Sequence, residues 1–207
     1  EWEHLITLDE TGVAALIINS SKLGEAWDLI NYDYKLVIDA STDATWDQST
    51  DLVRVRYNQS TYPTTYYSTQ TNSYDLAVTS TQQTETYEIF IFPPGIGSTV
   101  SAGQITDIHI EGVLSFMNLK RAVNASFDAN GGYTVSFRGF AYAEEHGYSI
   151  NIAGMECNFR TMWVDKSGAG VLTSMDLAIY PDNGDVDYFT IRIYKRARDK
   201  QPGLATY

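Results

Sequence analysis

The chain predicts an all-β fold, a two-sheet antiparallel sandwich of jelly-roll type. Its C-terminal half alternates apolar with polar residues over Tyr133 to Tyr142, Met155 to Val164, Ser174 to Tyr180 and Asp187 to Tyr194. A period of two marks strands with one buried and one wet face. About a dozen such segments occur with almost no helical periodicity, and two sheets facing each other bury one side of each. With 207 residues, 43% of them apolar and 13% aromatic, the chain can fill such a core.

In chain order, Trp2 to Leu8, Ala14 to Asn19 and Tyr34 to Ala40 read as strands. Between the last two, a short helical or irregular excursion is expected around Leu23 to Leu29, kept brief by Gly24. From Asp51 to Tyr57, Val53, Val55 and Tyr57 oppose Arg54 and Arg56. Tyr87 to Phe92 is apolar almost throughout, which suits a strand between two layers, and it stops at Pro93-Pro94-Gly95. From Ile105 to Asn118 the phase changes: Ile108 and Ile110 share a parity and Val113 takes the other, so a bulge or sharp bend is expected at Gly112. Asp128 to Gly132 and Pro181 to Gly184 supply hairpin turns, because Asn and Gly accept positive φ. Glu144-Glu145-His146 reads as a charged hairpin tip. On the last strand Phe189, Ile191 and Ile193 face the core and Thr190, Arg192 and Tyr194 face away. No linker-like shift divides the chain, so one domain over 1–207 is expected, with a Ser/Thr/Tyr-rich insert at about 41–86.

A formal net charge of −12 opposes nucleic-acid binding, since phosphates would be repelled. Lys195, Arg196, Arg198 and Lys200 form one basic cluster after the last strand, read either as a solubilising strand exit or as a docking contact for a neighbouring subunit. A single cysteine, Cys157, excludes an intrachain disulfide; its apolar surroundings suit a buried, inert thiol. No run of about 18 apolar residues appears, so no spanning helix and no membrane insertion are expected. No signal-peptide pattern is seen, and a chain opening on Glu1 reads as a processed product or a fragment. Sequons at Asn19, Asn58 and Asn124 carry little weight in a chain this rich in Asn, Ser and Thr.

Candidate sites are few. No Gly-x-Ser-x-Gly elbow, phosphate loop or His-Glu-x-x-His motif occurs, and His4, His109 and His146 have no metal-pair spacing. His109, between Ile108 and Ile110, is expected on solvent or a polar interface. Asp182, Asp185 and Asp187, with Asn183, place oxygen ligands in one short segment and suit Ca²⁺; a solvated turn explains them equally, and no cofactor is otherwise expected. In the polar stretch from Ser41 to Thr86, Tyr62, Tyr66, Tyr67 and Tyr74 are candidate ligand-binding residues. Rings flanked by amides and hydroxyls suit stacking on a pyranose, a subunit seam, or ordinary packing at a sheet edge.

The opening Trp2-Glu3-His4-Leu5-Ile6-Thr7-Leu8, followed by Val13, Leu16, Ile18, Asn19, Leu29 and the strand Tyr34-Lys35-Leu36-Val37-Ile38, resembles C-terminal domains of tail-fibre and other structural proteins of tailed bacteriophages. Those domains begin with a Trp-x-x-Ile-x-Thr-Leu-type strand, a second strand of apolar alternation and a Leu-rich stretch before the third. The likeness covers about the first 40 residues; the polar insert has no counterpart. It implies a virion protein made in the bacterial host cytoplasm, a homo-oligomer with a trimer favoured, which contacts other virion proteins and presents loops to the bacterial surface. The leading expectation is a non-enzymatic receptor-binding domain for a host-surface glycan. A purely structural virion protein (head decoration, head fibre or baseplate component) is the alternative, and a polysaccharide-degrading enzyme with two nearby carboxylates is the third.

Overall fold

The computed structural model describes residues 1–13, 15–42, 53–58, 66–74, 77–86, 89–90, 105–117, 134–146, 154–164, 172–179 and 186–198. These hold twelve strands and one helical turn: β1 Glu3–Val13, β2 Ala15–Asn19, α1 Ser20–Leu23, β3 Tyr32–Thr42, β4 Val53–Tyr57, β5 Tyr66–Tyr74, β6 Ala77–Thr86, β7 Ile89–Phe90, β8 Ile105–Met117, β9 Thr134–His146, β10 Gly154–Val164, β11 Ser174–Ile179 and β12 Val186–Ala197. They form an eight-stranded sheet in the order β1-β12-β3-β8-β9-β10-β5-β6 and a four-stranded sheet in the order β2-β11-β4-β7. All pairings are antiparallel, which is the all-β two-sheet fold that the alternation predicts. Strands pair in a nested way: β1 with β12, β2 with β11, β3 with β8 and β4 with β7. The strands β9 and β10 continue the wide sheet beyond β8, and the β5–β6 hairpin adds to β10.

One buried cluster fills the space between the sheets. The four-stranded sheet gives Leu16, Ile18, Val55, Tyr57, Met175 and Leu177, and the wide sheet gives Leu36, Ile38, Ile110, Phe137, Phe159 and Trp163 among others. Phe189, Ile191 and Ile193 are at most 1% exposed, as the parity of the last strand requires. A polar contact crosses the gap within this core. The Thr161 hydroxyl donates to the Phe137 carbonyl at 3.1 Å, so the Tyr57 hydroxyl, 3.3 Å from Thr161 Oγ1, is the donor to it. The Tyr57 ring stacks on Trp163 with centroids 5.8 Å apart, tying β4 to β10. Cys157 is fully buried in the same layer, and burial pushes its thiol up to about 12.

Gly112 corrects the sequence reading. The ladders from β8 to β3 and to β9 run through it without a register shift. Ile108, Ile110 and Leu114 are all buried on one parity, while Val113 lies on the other. Gly112 therefore occupies a core position and leaves it empty, because a β-carbon there would run into the Phe137 ring. Gly139 stands opposite it in register, and its β-carbon would strike the Glu111 carbonyl and lie 2.6 Å from Gly112 Cα. The missing apolar residue is a space for an aromatic ring, not a bulge.

Two further expectations shift. The excursion near Leu23 is a single turn, Ser20–Leu23, set earlier than read: Asn19 Oδ1 accepts from the Lys22 amide at 3.1 Å, and Gly24 at φ +81° closes it. Glu144 to His146 continue β9 opposite Ile105 to Asp107 and do not form a hairpin tip. Asn58, the second sequon asparagine, also acts locally. At φ +53° it ends β4, and its Oδ1 accepts from the Thr173 amide, the Thr173 hydroxyl and the Ser174 amide at 2.6, 3.0 and 3.2 Å.

The basic residues at the end of β12 fasten one end of the sandwich. Leu23, Trp27 and Leu29 are buried there, with Trp27 Nε1 donating to the Ile18 carbonyl at 3.1 Å and its ring edge-on to Tyr34 at 4.9 Å. Lys195 pairs with Glu25 at 2.9 Å, and Arg196 and Arg198 approach Asp33 at 3.3 and 3.4 Å. Arg198 also donates to the Leu29 carbonyl at 3.1 Å. Lys195, Arg196 and Arg198 of this cluster thus make intramolecular pairs, and Lys200 lies outside the described residues.

Candidate functional site

The face of the wide sheet turned away from the core collects the charged and exposed aromatic residues. Alternation puts them there: each residue flanking Ile38, Ile110, Ala141, Cys157 or Ile191 in sequence emerges on the other side. Asp39 on β3 is the centre of a chain of polar contacts. Its Oδ1 lies 2.6 Å from His109 Nδ1 on β8, and its Oδ2 takes a contact from Arg192 Nη2 on β12. Thr190 donates to Asp9 on β1 at 2.7 Å, and Lys35 pairs with Glu111. Such half-exposed pairs add only about 0–1 kcal/mol each to stability. Their effect is to hold the carboxylates and donors of four neighbouring strands in fixed places.

Beside this polar row stand the rings. Phe140 on β9 is 36% exposed, in register with Glu111 on one side and Asn158 on the other. Tyr142, two residues on, is in register with His109 and Glu156. Tyr188 on β12 is 41% exposed, and its hydroxyl is held above the usual tyrosine value by loss of water contact and then by the negative field of Asp107 and Asp39. It therefore stays an O–H donor. A bare ring between a carboxylate and an amide offers a stacking surface with acceptors and donors at its rim, the combination that a sugar ring with its hydroxyls fits.

Of the residues predicted from sequence, three lie on another strand of the same sheet. Tyr66, Tyr67 and Tyr74 lie on β5, where the register sets them opposite Trp163, Met162 and Met155. Tyr62, Asp182 and Asp185 lie outside the described residues. Asp187 belongs to β12, next to Tyr188, rather than to a turn. Among the described residues no group of three or more His, Cys, Asp or Glu side chains could hold a metal ion, and no helix is long and apolar enough to cross a membrane. His109 meets the expectation of a polar setting. Phe140 carries no motif in the sequence; what could have found it is parity, since a phenylalanine on the wet side of a strand has no core to explain it. A scan against protein-family models, a search of curated proteins and a search of solved structures each return no match for this chain.

Proposed function

We propose that this chain is a non-enzymatic adhesion domain of a tailed-bacteriophage virion that binds a host-surface glycan on the outer face of its wide sheet. One observation carries the glycan reading: the exposed Phe140 ring in register between Glu111 and Asn158, beside the ordered Asp39–His109–Arg192 row. The virion assignment rests on the resemblance of the first 40 or so residues. The nested strand pairing supports the finer description of the fold as a jelly roll, because a long antiparallel ribbon wound into two sheets pairs its first strand with its last, its second with its second-last, and so inward.

Phe140→Ala tests the proposal. A stacked ring contributes on the order of 1 kcal/mol or more, so the variant should bind glycan arrays and susceptible cell envelopes about tenfold more weakly with an unchanged thermal midpoint. Wild-type protein that binds no susceptible envelope would sink the proposal. A purely structural place in the virion is the second reading, favoured by the β5–β6 hairpin at the end of the sheet, whose strands carry a single charged residue, Glu85.

A further inference from the structure

Among the described strands, the wide sheet ends in β1 on one side and β6 on the other, and the two edges differ in kind. An edge strand offers unpaired backbone N–H and C=O groups, and proteins that must stay apart blunt it with charges, prolines or bulges. Strand β1 carries Glu3, His4, Asp9 and Glu10, a register shift between His4 and Ile6, and Gly12 at φ +62°. Strand β6, Ala77-Val78-Thr79-Ser80-Thr81-Gln82-Gln83-Thr84-Glu85-Thr86, has no proline, no lysine or arginine, and one acid near its end. It pairs with β5 regularly from Ala77 to Thr84, its only shift falling at the Tyr66/Tyr67 end.

The hairpin is also polar on both parities, since β5 between its tyrosines is Ser-Thr-Gln-Thr-Asn-Ser. Neither face has the apolar row that would seat it on a hydrophobic layer, so what β6 has left to complete is main-chain hydrogen bonding. In a chain of net charge −12, copies repel over most of their surface, and this near-neutral edge is where they can approach. We infer that β6 pairs antiparallel with β6 of a second copy of this chain about a two-fold axis, joining the two wide sheets into one. An isologous contact must match itself. A two-fold normal to the sheet keeps each residue on its face, so one residue must stand against its own copy: with Gln82 at the axis, Thr81 meets the partner's Gln83 and Thr79 meets the partner's Glu85, so no like charges meet. A foreign strand would find almost no charge here to select it, whereas the second copy brings the same polar, nearly uncharged edge.

Light scattering on the full chain, with backbone hydrogen exchange, tests this. A dimer is expected, with β6 amides protected in the dimer. Thr81→Pro puts a proline in the middle of the edge strand, and Gln82→Lys sets two lysines directly opposite each other at the axis; each should give monomer with an unchanged far-ultraviolet spectrum. If Thr81→Pro fails to fold, Gln82→Lys decides alone, since a lysine on a strand edge is tolerated. A monomeric wild type, an oligomer that survives Gln82→Lys, or a three-fold assembly with unprotected β6 amides overturns the inference.

Discussion

At the scale of single residues, the core of this sandwich is set by what is absent as much as by what is present. Gly139→Ala places a methyl group against backbone, the Glu111 carbonyl and Gly112 Cα, and backbone in the middle of a sheet has little room to yield. Overpacking of this kind costs about 1–3 kcal/mol or more, so the denaturation midpoint should fall by that equivalent, and an unchanged midpoint would show that the strands can part. Ile191→Ala does the reverse and opens a cavity at a fully buried site, with an expected loss of roughly 2–5 kcal/mol. A measured loss below about half a kcal/mol would take β12 out of the core. Cys157 gives a pH prediction. Its thiol is pushed up to about 12 in the fold from an ordinary 9.0, so the unfolded chain loses this proton first as pH rises. Its contribution is intact below pH 9 and declines between 9 and 12, by about 1 kcal/mol per pH unit, a decline that Cys157→Ser should abolish. At neutral pH a thiol reagent should label Cys157 only as fast as the protein opens.

Elements show which parts of the sequence were legible. Strands with a strict period of two, such as β12, β10 and β4, declare their inner faces outright, because one misplaced residue would turn a whole row into water. Gly112 misleads for a physical reason: a pattern read along one strand has no knowledge of the Phe137 ring on the next, which is what fills the vacant position. The outer-face site was hidden in the same way, since Asp39, His109 and Arg192 lie far apart in sequence and only the β12-β3-β8 order makes them neighbours. The tyrosines of β5 attracted attention through local composition, which says nothing of the row that each would join. The clamp at the end of β12 was equally invisible, because a run of basic residues looks the same whether it is solvated or engaged. Arg198 joins the loop it covers to the start of β3, with its backbone amide on the Asn31 carbonyl and its side chain on the Leu29 carbonyl and Asp33. Arg198→Ala should cost about 1 kcal/mol, the net value of one such bond, and raise amide exchange selectively over residues 24–31. Uniform exchange across the whole sheet in that variant would mean that the end of β12 is not a separate lock.

For the molecule as a whole, the nested pairs β1–β12, β2–β11, β3–β8 and β4–β7 join strands far apart in sequence. Loop closure must precede the contacts that reward it, so folding is expected in the slow range of about milliseconds to seconds typical of all-β sandwiches, and a fast microsecond phase that recovers full native signal would contradict the topology. The same nesting puts the start of β1 beside the end of β12, with Glu3 opposite Lys195 and Val13 opposite Val186. The two strands run antiparallel, so a load applied at their outer ends acts across the ladder and breaks its hydrogen bonds one after another, like a zipper. A load carried from β1 to the outer sheet face meets a different resistance: it shears β1 along β12, and all the bonds of that ladder share it at once. The direction of a pull on β1 then decides whether this domain peels open or holds.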